Sequence, residues 1–304
     1  MKNDVLNYIN YLNNNEKFLN DNYKDIFLFF ERIISNDDIY NYFYQIEQEN
    51  KNQQKMNLYT DETILNCVYS FFLKISNQFS IKFHQSFING NIVYNENIKE
   101  SQFITKRNLN LELEQYRINI TKTNTIKDCF HLIHEFTHYL INEINKNNQI
   151  DKNIINIYDE ATAMYMELLF YDFIKNKMSY EEATSIIKNR LYNWFNQGYD
   201  LFSSYKAINM ICNDTTYEEV IKNLNDNIFF NNFKDKVKNN KPFSYEHFIG
   251  MIIAINLYQN KINIIDLINV IKENKIDELS NILIITYNPE LVLNYLEQTK
   301  NKTN

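Results

Sequence analysis

A mainly helical protein with one small β-sheet, set just ahead of a histidine-bearing helix, is what this sequence predicts. Three observations predict it. The 304 residues contain only 3 Gly and 2 Pro, which disfavours a loop-rich or all-β chain and favours long helices. Apolar residues recur at helical spacing over most of the chain. Between 86 and 121 the pattern changes to a turn signal followed by short alternating runs.

Residues 1–85 read as an N-terminal helical segment. Leu6, Ile9, Tyr11 and Leu12 begin one helix, Ile26 to Ile34 form another, and Thr60 to Phe79 a third. Asp61 and Glu62 suit the first turn of that third helix, where negative charge meets the positive end of the helix dipole. Gln48 to Gln54 shows no apolar periodicity and reads as a linker. Asn89-Gly90-Asn91 is a turn signal, and Ile92-Val93-Tyr94, Gln102 to Thr105 and Leu109 to Ile120 then read as strands. Tyr116, Ile118 and Ile120 alternate with polar residues, out of phase with Leu111 and Leu113, which places a bulge near Gln115.

The next helix starts at Thr125-Ile126-Lys127-Asp128, a capping-box pattern. Ile126, Phe130, Ile133, Thr137, Leu140, Ile141 and Ile144 keep helical spacing, and the polar run Asn145 to Gln149 ends it. Ile154 to Lys175 is a second strongly periodic helix. Beyond it, Ser179-Tyr180-Glu181-Glu182 caps a helix to about Asn196, and Gly198 marks a break. Thr215 to Glu218 starts another helix, Pro242-Phe243-Ser244 introduces an apolar helix through Tyr258, and Asn288-Pro289 opens the last one. No internal repeat or composition shift divides the chain, so 1–304 is expected to be a single unit.

Composition excludes several classes. The 31 basic and 38 acidic residues give a net charge of −7, which disfavours a nucleic-acid binder. Cys67, Cys129 and Cys212 are scattered and odd in number, with neither zinc-finger nor redox-pair spacing, and are expected to be small buried residues in a reducing compartment. The N-terminus lacks the apolar core of a signal peptide, and no run approaches the length of a membrane span. The expectation is a cytoplasmic monomer.

Three of the five histidines fall in His131-Leu132-Ile133-His134-Glu135-Phe136-Thr137-His138. Within it, His134 to His138 reads H-E-x-x-H. On a helix, residues four apart share a face, so two imidazoles can converge on one ion while Glu135 reaches a water held there. This is the zincin arrangement, two His ligands and a carboxylate general base. It predicts a zincin-like metallopeptidase fold with one Zn²⁺, a small β-sheet before the metal helix, and a core of 86–304. His131 falls seven residues before His138, too far along the axis to share that ion, and is expected at the pocket wall or in the core.

A catalytic zinc site takes three protein ligands. The best third ligand is Glu160, 22 residues beyond His138 and on the border of the next helix's apolar stripe. Glu167 lies two turns on and nearly eclipses it. Asp159 points about 100° away and suits a supporting role better.

His134-Glu135-Phe136-Thr137-His138 followed by Tyr158 to Leu169 resembles the oligoendopeptidase F and thimet oligopeptidase family. The resemblance implies zinc on His134, His138 and Glu160, with Glu135 as base and a peptide as substrate. Pro242 to Gly250 is similar to that family's tyrosine-rich substrate-binding segment, with His247 where a tyrosine is usual. Tyr245 and His247 open an apolar helix and are the candidate donors to a developing oxyanion, and Gly250 would admit another backbone closely.

The function these readings predict is a zinc peptidase acting on short peptides. Two alternatives share the motif, a regulatory metalloprotease cutting one protein and a non-catalytic helical zinc-binding interaction protein.

Overall fold

The computed structural model describes residues 2–15, 17–51, 56–107, 113–142, 152–175, 180–213, 219, 227–241, 245–272 and 289–301. It is mainly helical with one three-stranded sheet. The N-terminal helices are α1 (Lys2–Asn15), α2 (Lys17–Ile34), α3 (Asp37–Lys51), α4 (Asp61–Ile75) and α5 (Asn77–Ile88). Strands β1 (Ile92–Asn95), β2 (Gln102–Arg107) and β3 (Leu113–Thr121) follow. Helices α6 (Ile126–Asn142), α7 (Lys152–Ile174), α8 (Tyr180–Cys212), α9 (Asn227–Asn239), α10 (Glu246–Gln259), α11 (Ile264–Lys272) and α12 (Pro289–Asn301) complete the described elements.

The sheet is ordered β1-β3-β2, with β3 parallel to β1 and antiparallel to β2. The expected bulge is present: Lys106 pairs with Gln115 but Arg107 with Leu113, so β3 carries one extra residue there. Ile118 and Ile120, on the inward phase, are fully buried. The sheet lies against α6, where Tyr116 stacks on Tyr139 at 4.2 Å.

Three expectations are corrected. Thr60 to Phe79 is not one helix: Thr60 caps α4 by accepting from the Thr63 N–H, and Ser76, extended at φ −158°, separates α4 from α5. The segment from Gln48 is helical as far as Lys51, α3 continuing through these polar residues. Gly198 does not break α8, which runs unbroken to Cys212. The glycine is there for packing: a Cβ would lie 2.4 Å from Phe248 and 2.5 Å from Phe30, so two aromatic rings rest on bare backbone. That contact, with Trp194 donating from Nε1 to the Phe248 carbonyl at 3.0 Å, seats α10 on α8 and α2.

The polar run 145–149, the Thr215 start, Pro242 to Ser244 and Asn288 lie outside the described residues. Pro289 does take the first position of its helix. All three cysteines are free thiols; Cys129 is buried as expected, whereas Cys67 and Cys212 are half-buried. Cys67 and Cys129, far apart in sequence, meet through a side-chain hydrogen bond that, with burial, raises the Cys129 pKa. No described helix is long and apolar enough to cross a membrane.

The link from β3 into α6 fixes where the histidine helix begins. Asn124 takes φ 59°, a left-handed conformation that asparagine tolerates better than most residues. Asp128, fully buried, accepts from the Thr123 and Asn124 N–H groups at 2.9 and 2.8 Å, from the Thr123 hydroxyl at 2.5 Å and from Tyr94 Oη at 2.6 Å. The acid of the capping pattern therefore ties strand β1 and the turn to the first turn of α6. Asp128→Ala removes the acceptor of four donors on residues that are half-buried or exposed, so water recovers part of the roughly 1–3 kcal/mol that each would cost if left unpaired in the interior. Allowing for rehydration, a loss of about 3 kcal/mol in stability is expected, read as a lower urea midpoint at unchanged slope.

Candidate metal centre

Helix α6 buries its apolar stripe between the sheet, α4 and α7. Phe136 packs edge-to-face on Phe72 and Phe83 at 5.0 and 5.2 Å, which leaves His134 and His138 on the side turned to α7. Both are nearly buried, at 9% and 8% exposure, with ring centroids 4.8 Å apart and planes at 80°. Helix α7 brings Glu160 opposite them. A side-chain donor atom from each of His134, His138 and Glu160 lies within 4.8 Å of the others, a group that could hold a metal ion.

The ring nitrogens are divided between two kinds of work. His134 Nδ1 is 2.6 Å from Glu167 Oε1, and His138 Nδ1 is 2.8 Å from Asp159 Oδ1. Both Nε2 atoms face Glu160, at 3.4 Å from its Oε2 and 3.7 Å from its Oε1. A carboxylate on one ring nitrogen fixes tautomer and ring angle and makes the other a better ligand. Those 3.4 and 3.7 Å separations are long for charged hydrogen bonds, and Glu160 Oε2 is buried without a hydrogen-bond partner among the described residues. Two neutral nitrogens and one carboxylate oxygen facing a common point are the donor set of a tetrahedral cation site with one position open. The residues present fit a metal ion.

The supports are themselves held. Asn142 Nδ2 donates to Asp159 Oδ2 at 3.0 Å and to the His138 carbonyl at 2.9 Å. Arg190, from α8, donates from Nε to Glu167 Oε2 at 3.1 Å. Glu160 is placed by the crossing of α7 and α10, the most extensive helix pair among the described residues. A Cβ on Gly250 would come within 3.2 Å of Glu160 Cβ and of the Ala161 backbone N, so the glycine does admit another backbone, and that backbone carries Glu160.

Electrostatics follow from this crowding. Burial opposes a charge on His134, but Glu160 and Glu167 outweigh it and hold its pKa up at about 10. Burial likewise opposes a charge on Glu160, and the surrounding imidazoles overcome it and hold its pKa at about 2. His138 is raised in the same way, against burial, by Asp159. Burial raises the pKa of Glu135, with the charges of His134 and His138 working against it and those of Glu160 and Glu167 adding to it.

The cluster opens into a cleft of about 370 Å³ whose lining includes His131, Glu135, Arg190 and His247. Two larger cavities, of about 670 and 710 Å³, have no histidine among their described lining residues. His131 lies at the wall as expected, its Nδ1 3.2 Å from Ser101 Oγ. His247, half-exposed, reaches Glu160 Oε2 at 3.5 Å. Tyr245 is buried at 1% exposure just before α10 and does not line the cleft. Arg190 was not singled out by sequence; being one of four arginines among 31 basic residues was the available signal.

No protein-family model matches the sequence, and no curated protein does. Among solved structures, the chain is similar to the crystal structure of a “putative peptidase” from Chlamydophila abortus, with a TM-score of 0.68 and 15% identity. The match covers 99% of this chain and 60% of that protein, so the chain spans under two thirds of its length. At that identity the likeness is one of fold.

Proposed function

We propose that this chain is a zinc-dependent peptidase of the oligoendopeptidase F kind, with His134, His138 and Glu160 as the metal ligands. The observation that carries the reading is the division of the imidazole nitrogens: Asp159 and Glu167 occupy both Nδ1 atoms, so both Nε2 atoms face Glu160. A purely structural pair of buried histidines would not need Glu135 beside it in an open cleft. The fold shared with a protein described as a peptidase agrees with this reading.

Bound there, Zn²⁺ supplies a Lewis acid that lowers the pKa of water to about 7. Glu135 takes the proton from the attacking water and returns it to the departing amine. Its burial raises its pKa, in the direction that suits a group that must both accept and give. His247 lines the cleft half-exposed, with its Nε2 3.5 Å from Glu160 Oε2, and we assign it the role of donor to the developing oxyanion. Tyr245 then serves to anchor the start of α10. Strand β2 is at an edge of the sheet, and Phe103 on it stacks over His138 at 6.4 Å. An extended peptide can add to that edge through main-chain hydrogen bonds.

The test is digestion of a mixed peptide library by the zinc-loaded chain, with and without chelator, read by mass spectrometry. Chelator-sensitive internal cleavage is expected. Absence of any cleavage by protein shown to hold zinc would overturn the reading.

A further inference from the structure

The cleft extends along α6 beyond the ligands. Lys127, His131 and Glu135 are spaced four apart, share one face of the helix and all line the cleft. His131 therefore lies about 6 Å and Lys127 about 12 Å along the axis from Glu135, at 1.5 Å per residue. After burial, the charges of Arg190 and Lys127 are the main influences lowering the His131 pKa, to about 3, so both cations bear on one ring and that ring is neutral. Arg190 spends Nε on Glu167, and about a third of its side chain (34%) is exposed. Lys127 is exposed and makes no ion pair among the described residues. Of the acids lining the same cleft, Glu167 is held by Arg190 and His134, and Glu135 is the proposed base. Glu100 remains, exposed beside Lys99.

We infer that Lys127 and Arg190 form an anion subsite that holds a carboxylate of the substrate peptide, either an acidic side chain or the terminal carboxylate. The inference rests on the peptidase reading and adds a substrate class to it. Geometry sets the position. For a peptide extended along α6, at about 3.3 Å per residue, a group between His131 and Lys127 sits about two to three residues from the scissile bond. Arg190 is tied to the metal ligands through Glu167, which holds His134, and Lys127 lies two turns of α6 before Glu135.

The test uses the full zinc-loaded chain and matched fluorogenic peptides. One series carries Glu or Gln two or three residues from the cleaved bond, with an amidated C-terminus. The other ends at that distance as a free acid or an amide. Wild-type kcat/KM is expected to favour the carboxylate about tenfold or more in one series, which identifies the source of the anion. In Lys127→Glu that ratio should fall to about one or invert, and raising ionic strength should shrink it, because an exposed cation is screened. Cleavage with no charge preference, or a preference untouched by Lys127→Glu, overturns the inference and leaves the peptidase reading standing. If nothing is cleaved, the peptidase reading fails. Fluorescence anisotropy of the same peptides then decides the subsite, and binding that ignores the carboxylate overturns it.

Discussion

Glu135→Gln is expected to lose peptide hydrolysis by about 10²–10⁴-fold or more while keeping its zinc. The two outcomes separate because Glu135 is not one of the three residues whose donor atoms converge. His134 and His138 keep Glu167 and Asp159 on their Nδ1 atoms whatever stands at 135. Glutamine matches glutamate in shape, so the packing of α6 is undisturbed, but its amide cannot take a proton from water. A group that acts both as base and as acid is lost twice over, which puts the effect at the upper end of that range. Zinc content by atomic emission and initial rates on one peptide settle it. Wild-type turnover in Glu135→Gln would sink the assignment of the base.

Glu160→Ala is expected to lose the metal and with it the activity, whereas Asp159→Ala keeps the metal at about 10–100-fold lower affinity. Adjacent on α7, the two acids do different work. Glu160 offers oxygens to both Nε2 atoms, and no other described carboxylate completes that group. Asp159 bridges His138 Nδ1 and Asn142, so its removal loosens a ring without removing a donor. Competition against a chromogenic chelator measures both. If Glu160→Ala holds zinc like the parent while Asp159→Ala does not, the third ligand is Asp159.

The local parts of this protein are legible in the sequence because they depend on neighbours along the chain. The spacing of Ile126, Phe130 and Ile133 dictates α6, the alternation of Tyr116, Ile118 and Ile120 dictates β3, and its change of phase dictates the bulge. The four-residue interval from His134 to His138 puts both on one face whatever surrounds them. Even Gly250's close approach follows from the absence of a side chain.

What each residue meets across the fold was decided by tertiary structure alone. Gly198 looks like a helix break because glycine is a poor helix former, yet packing of Phe30 and Phe248 on its backbone carries α8 straight through. A helix from Thr60 to Phe79 satisfies its own periodicity, and the turn at Ser76 shows only where α4 and α5 fold back on each other. The sequence makes Glu160 a candidate ligand by its position on a stripe. The choice between Glu160 and Asp159 rests on how α7 is rotated against α6, a single angle set by many distant contacts, among them α10 pressing through Gly250. Arg190 reaches Glu167 from another helix, 23 residues on, and no local pattern encodes such a meeting. Periodicity is a short-range property of the chain, whereas the pairing of charges in a buried site is fixed by the docking of whole helices.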